Sequence, residues 1–325
     1  MCTAVAYRKN HSYFGRNLDL ERGYGEKVII TPRNYEIKFR CSEAEASHSA
    51  MIGTGIILDN FPLYFEAVNE EGLGVAALNF PNNAEYIGID ADKENIAPFE
   101  FIPWILSRCK TVSEARGMLL RVNVANLKFS EDMPLSPLHW IISDKDESIV
   151  AEPLSCGLKI YDNPFEVLTN NPPFDYHKTN VNNYMNLNTG AAVSHFSKKI
   201  PTENYSLGMG ALGLPGDFSS ASRFVRALFV KENSYAENRE ENCVNQFFHI
   251  LDSVSMPRGC VLSGGNYEYT RYSSCINLNT GAYYCKTYDN FNILSVNMRS
   301  YDLDGSELFA HEIGLQETTF KVNER

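Results

Sequence analysis

The chain has 325 residues, 44% of them hydrophobic, and a formal net charge of −11. That length and apolar content can bury a large core in one or two domains, whereas the acidic balance argues against the basic face that nucleic-acid binding needs. No apolar run approaches the roughly 20 residues of a membrane span, so a soluble chain without a membrane anchor is expected.

Taken in chain order, residues 2–7 and 13–18 flank the turn signal Lys9-Asn10-His11 and read as a β-hairpin. Residues 27–31, 51–58, 63–67 and 75–80 are further strand candidates. A helical stretch follows at 99–109, where Phe101, Ile102, Ile105 and Leu106 form one apolar stripe and Pro103 lies near the start or kinks it. Thr111-Val112-Ser113-Glu114 is a capping-box pattern ahead of a helix over 115–120. A second set of strands is expected at 138–143, 148–152, 158–161 and 165–169. Residues 187–217 are rich in Gly, Asn and Ser without clear periodicity, which marks a functional or assembly loop. Amphipathic helices at 219–231 and 240–254 come next, and strands return at 267–276, 282–288 and 293–298. Strands and helices in consecutive groups, with no Pro/Gly/Ser-rich linker, predict an α+β layered fold in a single domain over 1–325.

The start shows no basic segment leading into a long apolar stretch, and Arg8-Lys9-Asn10-His11 interrupts it early, so a cytoplasmic chain is expected. The eight cysteines contain no CxxC pair, and a disulfide framework is not expected. Apart from Cys2 they read as small buried hydrophobes. The seven histidines are scattered and form no HExxH or other close pair. No metal site and no cofactor are therefore expected.

The second residue is the first candidate for chemistry. In Met1-Cys2-Thr3-Ala4-Val5, removal of one methionine would place a thiol and a free α-amine on the same residue. An α-amine titrates at about 7.7–8.0, so it can take the thiol's proton, and nucleophile and base need no other partner. The bland reading is an accidental cysteine at a frayed terminus. In Phe14-Gly15-Arg16-Asn17-Leu18-Asp19, a hairpin would bring Arg16 and Asp19 back to flank Cys2. A cation near sulfur favours thiolate, and a carboxylate can orient the ammonium. An ordinary Arg–Asp pair at a strand end is the alternative.

These segments, together with Thr31-Pro32-Arg33-Asn34, Asn69-Glu70-Glu71-Gly72-Leu73-Gly74, Leu78-Asn79-Phe80, Leu168-Thr169-Asn170-Asn171-Pro172 and Gly216-Asp217-Phe218-Ser219-Ser220-Ala221-Ser222-Arg223-Phe224, resemble the choloylglycine hydrolase family of N-terminal-nucleophile hydrolases. The matching blocks run in order over nearly the whole chain. The resemblance implies a four-layer αββα fold with two stacked antiparallel sheets, and amide hydrolysis with Cys2 as nucleophile and its freed amine as base. It implies that Arg16 and Asp19 support the thiol, that the side-chain amide of Asn170 donates to the oxyanion, that Asn79 completes the hole, and that Arg223 bridges the polar network near Cys2. Arg226, on the same helix, has no such role. It further implies an apolar substrate pocket at Leu18, Leu58, Phe129 and Met133, with Leu135 possible, and a homotetramer in which 187–217 reaches a neighbour. Asn79 matches the bile-salt-cleaving branch, whereas penicillin V acylases often carry Tyr there. Penicillin V acylase or acyl-homoserine-lactone acylase activity with the same machinery, and a non-catalytic binder, are the other readings. All six polar site residues are present, which argues against the binder.

Overall fold

Two antiparallel sheets carry the chain. The structure is a computed structural model that describes residues 1–9 and 11–314; Asn10 of the expected turn lies outside the described residues. The first sheet has seven strands and runs Val167–Leu168, Cys2–Arg8, Ser12–Leu20, Asn266–Asn277, Ala282–Thr287, Asn290–Asn297, with Val261–Ser263 paired beside Asn266–Asn277. The second has eight and runs Gly157–Asp162, Ser148–Leu154, Leu138–Ser143, Gly74–Asn79, Phe61–Asn69, Met51–Leu58, Lys27–Thr31, Phe309–Glu312.

Side-chain alternation sorts these strands into layers. On the second sheet Val28, Ile30, Ile52, Val68, Ala76, Leu78, Ile141 and Val150 join one buried cluster with Cys2, Phe14, Leu18, Tyr272 and Ile276 of the first sheet. Their neighbours in sequence, Ile29, Met51, Ala67, Val75, Ala77, Trp140, Ile142, Ile149 and Ala151, join a separate cluster under helices Phe101–Arg108 and Val112–Leu119. The outer face of the first sheet is covered by helices Ser220–Asn233 and Glu240–Asp252, through Phe224, Phe247, Phe248 and Leu251. Helix, sheet, sheet, helix is the expected αββα order.

The local chemistry accounts for the boundaries. Thr111 caps its helix by accepting from the Glu114 N–H at 3.2 Å, while the Glu114 carboxylate turns back one residue further, to the Lys110 N–H at 2.7 Å. Gly15 is required in its strand, because a Cβ there would collide with the Ser274 carbonyl of the paired strand. The expected strand at 165–169 shrinks to Val167–Leu168, since Glu166 takes a left-handed φ of 59° in a turn closed by Asn163. Helix Phe174–Asn180, the short parallel pair Glu94–Ile96 with Val122–Val124, and the edge strand Phe309–Glu312 were not expected from the sequence. The exposed Cys41, Cys156 and Cys260 correct the expectation that every cysteine beyond Cys2 is buried. Among the described residues, no helix is long and apolar enough to cross a membrane, and no group of three or more potential metal-ligating side chains is found.

Candidate active site

The hairpin pairs Cys2 with Leu18 and Ala4 with Arg16 across seven residue pairs. Directly opposed residues share a face, so Cys2, Leu18 and Arg16 all face the second sheet. Asp19 lies on the other face, three residues and therefore an odd step from Arg16. Arg16 and Asp19, expected to flank the thiol, thus lie on opposite faces of the sheet that carries Cys2.

Arg16 is buried between the sheets. Its Nη1 donates to the carbonyls of Phe65, at 3.1 Å, and Ala77, and its Nε lies 3.9 Å from Glu66 Oε2. Burial works against its charge, but Cys2, Tyr272, Glu66 and Asp19 outweigh burial and its pKa is raised. Glu66, buried beside it, accepts from Tyr272 Oη at 2.6 Å. Burial pushes the Glu66 carboxyl up to about 7 against the pull of Arg16. Arg16 Nη2 is buried without a partner among the described residues.

On the other face, Asp19 Oδ1 accepts from Thr270 Oγ1 at 2.6 Å and Oδ2 lies 4.0 Å from Arg223 Nη1. Burial raises the Asp19 pKa, and Arg223, the N-terminus, Thr270 and Arg16 pull it back. Arg223 is not the surface residue that its place in an amphipathic helix suggests. It is fully buried: Nη1 donates to Thr3 Oγ1 at 2.7 Å and to the Cys2 carbonyl, and Nη2 donates to Asn170 Oδ1 at 2.7 Å. Burial lowers its pKa while Asp19, Cys2 and Glu268 oppose that shift. Arg226 spends its donors elsewhere, on the carbonyls of Ser253, Pro215 and Asp217.

Met1 is present here, and the atom that would become the Cys2 α-amine is a peptide nitrogen. It donates to Asn170 Oδ1 at 2.8 Å. The Met1 ammonium is held by the Asp19 carbonyl and the Glu268 carboxylate, both at 2.7 Å. Because Asn170 Oδ1 receives two N–H donors, its amide has one orientation, and Nδ2 points to the Asn79 carbonyl at 2.7 Å. One Nδ2 hydrogen remains for a ligand. The Asn170 backbone is equally held, with N–H donating to Ser220 Oγ at 2.9 Å and the carbonyl accepting from His177 Nε2 at 3.0 Å. Burial keeps His177 neutral by lowering its pKa to about 4.

The other five expected polar residues thus meet around Cys2, and Asn170, Arg223 and Asn79 do so through direct bonds to it or to Asn170. The expected pocket residues do not all follow. Leu18 opposes Cys2. Leu58, 37% exposed, ends its strand. Phe129 packs on Phe99 and Phe61, at ring distances of 5.2 and 6.3 Å, and with Met133 joins the outer cluster under the helices. Phe129 also lines a cavity of about 750 Å3 with Tyr35, Ile57 and Leu308, and none of the six polar residues is in its walls. His139, Glu152, His177 and Glu66 escaped the sequence reading. The available signal was a charged or imidazole side chain inside an apolar strand, as in Leu138-His139-Trp140-Ile141.

A buried thiol at the second position, bonded through its backbone N–H to Asn170, invites comparison with known enzymes. The chain is 49% identical over 324 residues to the bile salt hydrolase/transferase of Lactiplantibacillus plantarum, covering 99% of this chain and 100% of that protein. It superimposes on the crystal structure of the C2A mutant of conjugated bile acid hydrolase from Clostridium perfringens with a TM-score of 0.91 and 34% identity, covering 99% and 100% of the two chains. Penicillin V acylase from Agrobacterium tumefaciens shares the fold, with a TM-score of 0.76 at 20% identity over 96% and 92%. The model of the linear amide C–N hydrolases of the choloylglycine hydrolase family matches residues 2–311, and the chain belongs to that family.

Proposed function

We propose that this chain, once Met1 is removed, is a cysteine amidase that hydrolyses glycine- and taurine-conjugated bile salts through an acyl-enzyme on Cys2. The observation that carries the reading is the bond from the Cys2 nitrogen to Asn170 Oδ1 at 2.8 Å, which ties the nucleophilic residue to the oxyanion donor. The relatives named for bile salt and conjugated bile acid hydrolysis supply the substrate class.

The proposed steps follow from these atoms. The freed Cys2 amine takes the thiol proton while Arg16, on the thiol's face, favours thiolate. Cys2 Sγ attacks the amide carbonyl. The resulting oxyanion is met by the remaining Asn170 Nδ2 hydrogen and by the backbone at Asn79, donors fixed before the charge develops. The C–N bond breaks as the ammonium returns its proton to the leaving glycine or taurine nitrogen. Water, deprotonated by the same amine, then cleaves the thioester and releases the bile acid. Leu18, which opposes Cys2, is our proposed contact for the apolar steroid face, which needs area more than hydrogen bonds; Leu58, Phe129 and Met133 are proposed only for the part of the substrate farthest from Cys2.

Finer readings belong to the same proposal. We read the whole chain as one domain, because both sheets supply side chains to one site. A homotetramer through 187–217 is supported by exposed apolar side chains on that segment, among them Phe196 and Leu207 at 83% and 101% exposure. A cytoplasmic location is supported by eight free cysteines.

The test is kcat/KM for glycocholate, taurocholate and penicillin V on one preparation whose intact mass shows loss of Met1. The conjugated bile salts are expected to lead, since ~100 Å2 of extra apolar burial is worth ~2.5 kcal/mol before immobilisation costs. A higher value for penicillin V would move the chain to the acylase branch.

A further inference from the structure

We infer that the buried pair His139–Glu152 positions the oxyanion donor by clamping the segment that carries Asn170 at both of its ends. The inference rests on the reading of Asn170 given above.

The pair belongs to the second sheet, on the adjacent strands Leu138–Ser143 and Ser148–Leu154. Both side chains are fully buried and point into the space between the sheets. His139 Nδ1 lies 3.1 Å from Glu152 Oε1, and its Nε2 lies 2.8 Å from the Thr169 carbonyl. A carbonyl oxygen only accepts, so Nε2 carries a hydrogen and donates to Thr169, the residue before Asn170. The proton of the Nδ1 to Oε1 bond lies between the two side chains. At the other end of the segment, Glu152 Oε1 and Oε2 accept from the Phe174 N–H at 3.1 and 3.2 Å.

The segment from Thr169 to Phe174 follows the edge strand of the first sheet, Val167–Leu168, which has only two residues of ladder. Beyond that ladder its own sheet holds it through the Cys2 N–H to Asn170 Oδ1, while Ser220 and His177 hold the Asn170 backbone. Its bonds to the second sheet side run from Thr169 to His139, from Asn170 Nδ2 to Asn79, from Asn171 Nδ2 to the Pro81 carbonyl at 2.6 Å, and from Phe174 to Glu152. The His139 ring is itself set by stacking on Phe80, with centroids 4.2 Å apart and planes 6° apart, and Phe80 adjoins Asn79. Both parts of the oxyanion site thus lean on one imidazole. Displacement of a donor by about 1 Å costs on the order of a hundredfold in rate, so a clamp on this segment has kinetic consequences without touching substrate.

His139→Asn tests this. Its amide can still reach Glu152 in place of Nδ1 but is too short for Thr169. On glycocholate, kcat is expected to fall about tenfold or more with KM within twofold, and Cys2 alkylation by iodoacetamide to keep its rate. His139→Gln, whose Nε2 can reach Thr169, is expected to regain most of the loss. A kcat within twofold of the parent in His139→Asn overturns the inference, as does an equal loss in the Gln variant or a parallel loss of thiol reactivity. Should His139→Asn not fold, Glu152→Asp, which draws the carboxylate away from Nδ1 and Phe174, is judged by the same kcat, KM and alkylation criteria. Asn170→Ala is measured alongside. If it leaves kcat unchanged, the reading of Asn170 itself is wrong and the inference goes with it; if it loses kcat while His139→Asn does not, only the inference fails.

Discussion

The Cys2 nitrogen and Asn170 Oδ1 are 2.8 Å apart although 168 residues separate them in the chain. Arg223 Nη2 meets the same oxygen at 2.7 Å. The Asn170 amide oxygen thus holds the Cys2 nitrogen and the Arg223 guanidinium together, and these two donors set the orientation of the amide.

Replacing the nucleophile separates chemistry from folding. Cys2→Ser is expected to lower kcat by about a thousandfold or more, because a hydroxyl lacks the thiolate character that Arg16 and the amine promote. Its thermal midpoint should stay close to that of the parent. The preparation must be checked by intact mass for loss of Met1, and turnover near that of the parent in a processed Ser variant would sink the assignment.

Arg223 and Arg226 form a matched pair of tests on one helix. Arg223→Lys loses the forked contact to Thr3, Cys2 and Asn170, and a point charge cannot restore it. A fall in kcat of about a hundredfold is expected. Arg226→Ala removes bonds to three loop carbonyls and should cost about 1–2 kcal/mol in denaturant midpoint, with kcat within twofold. Equal kinetic losses would mean that Arg223 acts through stability alone.

His177 and Glu66 predict opposite pH slopes. His177 is held neutral, its pKa lowered to about 4, so its stability is present above its ordinary value near 6.5 and is lost as pH falls toward 4. Glu66 is raised to about 7, so its stability is present below about 4.5 and is lost as pH rises toward 7. The two groups therefore act on stability in opposite directions across overlapping pH ranges. Relative to the parent, His177→Gln should gain stability as pH falls from 6.5 to 4. Glu66→Gln should gain it as pH rises from 4.5 to 7. Urea denaturation at four or five pH values checks both, and slopes of the same sign would contradict the assignments.

The assembly reading is tested by charge. Leu207→Glu, at a fully exposed apolar position, should convert a tetramer into smaller species in sedimentation at micromolar concentration. A parent that already sediments as an active monomer would remove the tetramer from the proposal.

Much of the site was legible because its residues lie in short segments with strong local character. The strands over 27–31, 51–58 and 138–143 coincide with Lys27–Thr31, Met51–Leu58 and Leu138–Ser143, since alternation and turn residues act within a few positions. The hairpin that returns Arg16 to Cys2 follows from a turn signal and two apolar runs. Even the separation of Arg16 from Asp19 onto opposite faces was implicit in the two-residue period, although spacing alone suggested a flanking pair.

The sequence by itself determined the strand alternation, the amphipathic helices and an α+β layered class, because these depend on residue type and on periods of two and 3.6; the αββα order and the role of Cys2 entered through the resemblance to the family. Tertiary structure alone decided what each face meets. Arg223 sits on a helix whose pattern allows solvent, yet the first sheet buries it against Cys2. Phe129 and Met133 are apolar on any reading, and only packing sends them to the outer cluster. His139 is one polar position in an apolar strand until the two sheets close on each other and its ring reaches Thr169. His139 and Thr169 stand 30 residues apart and Arg223 and Cys2 stand 221 apart, and no local preference specifies contacts made only when the layers stack.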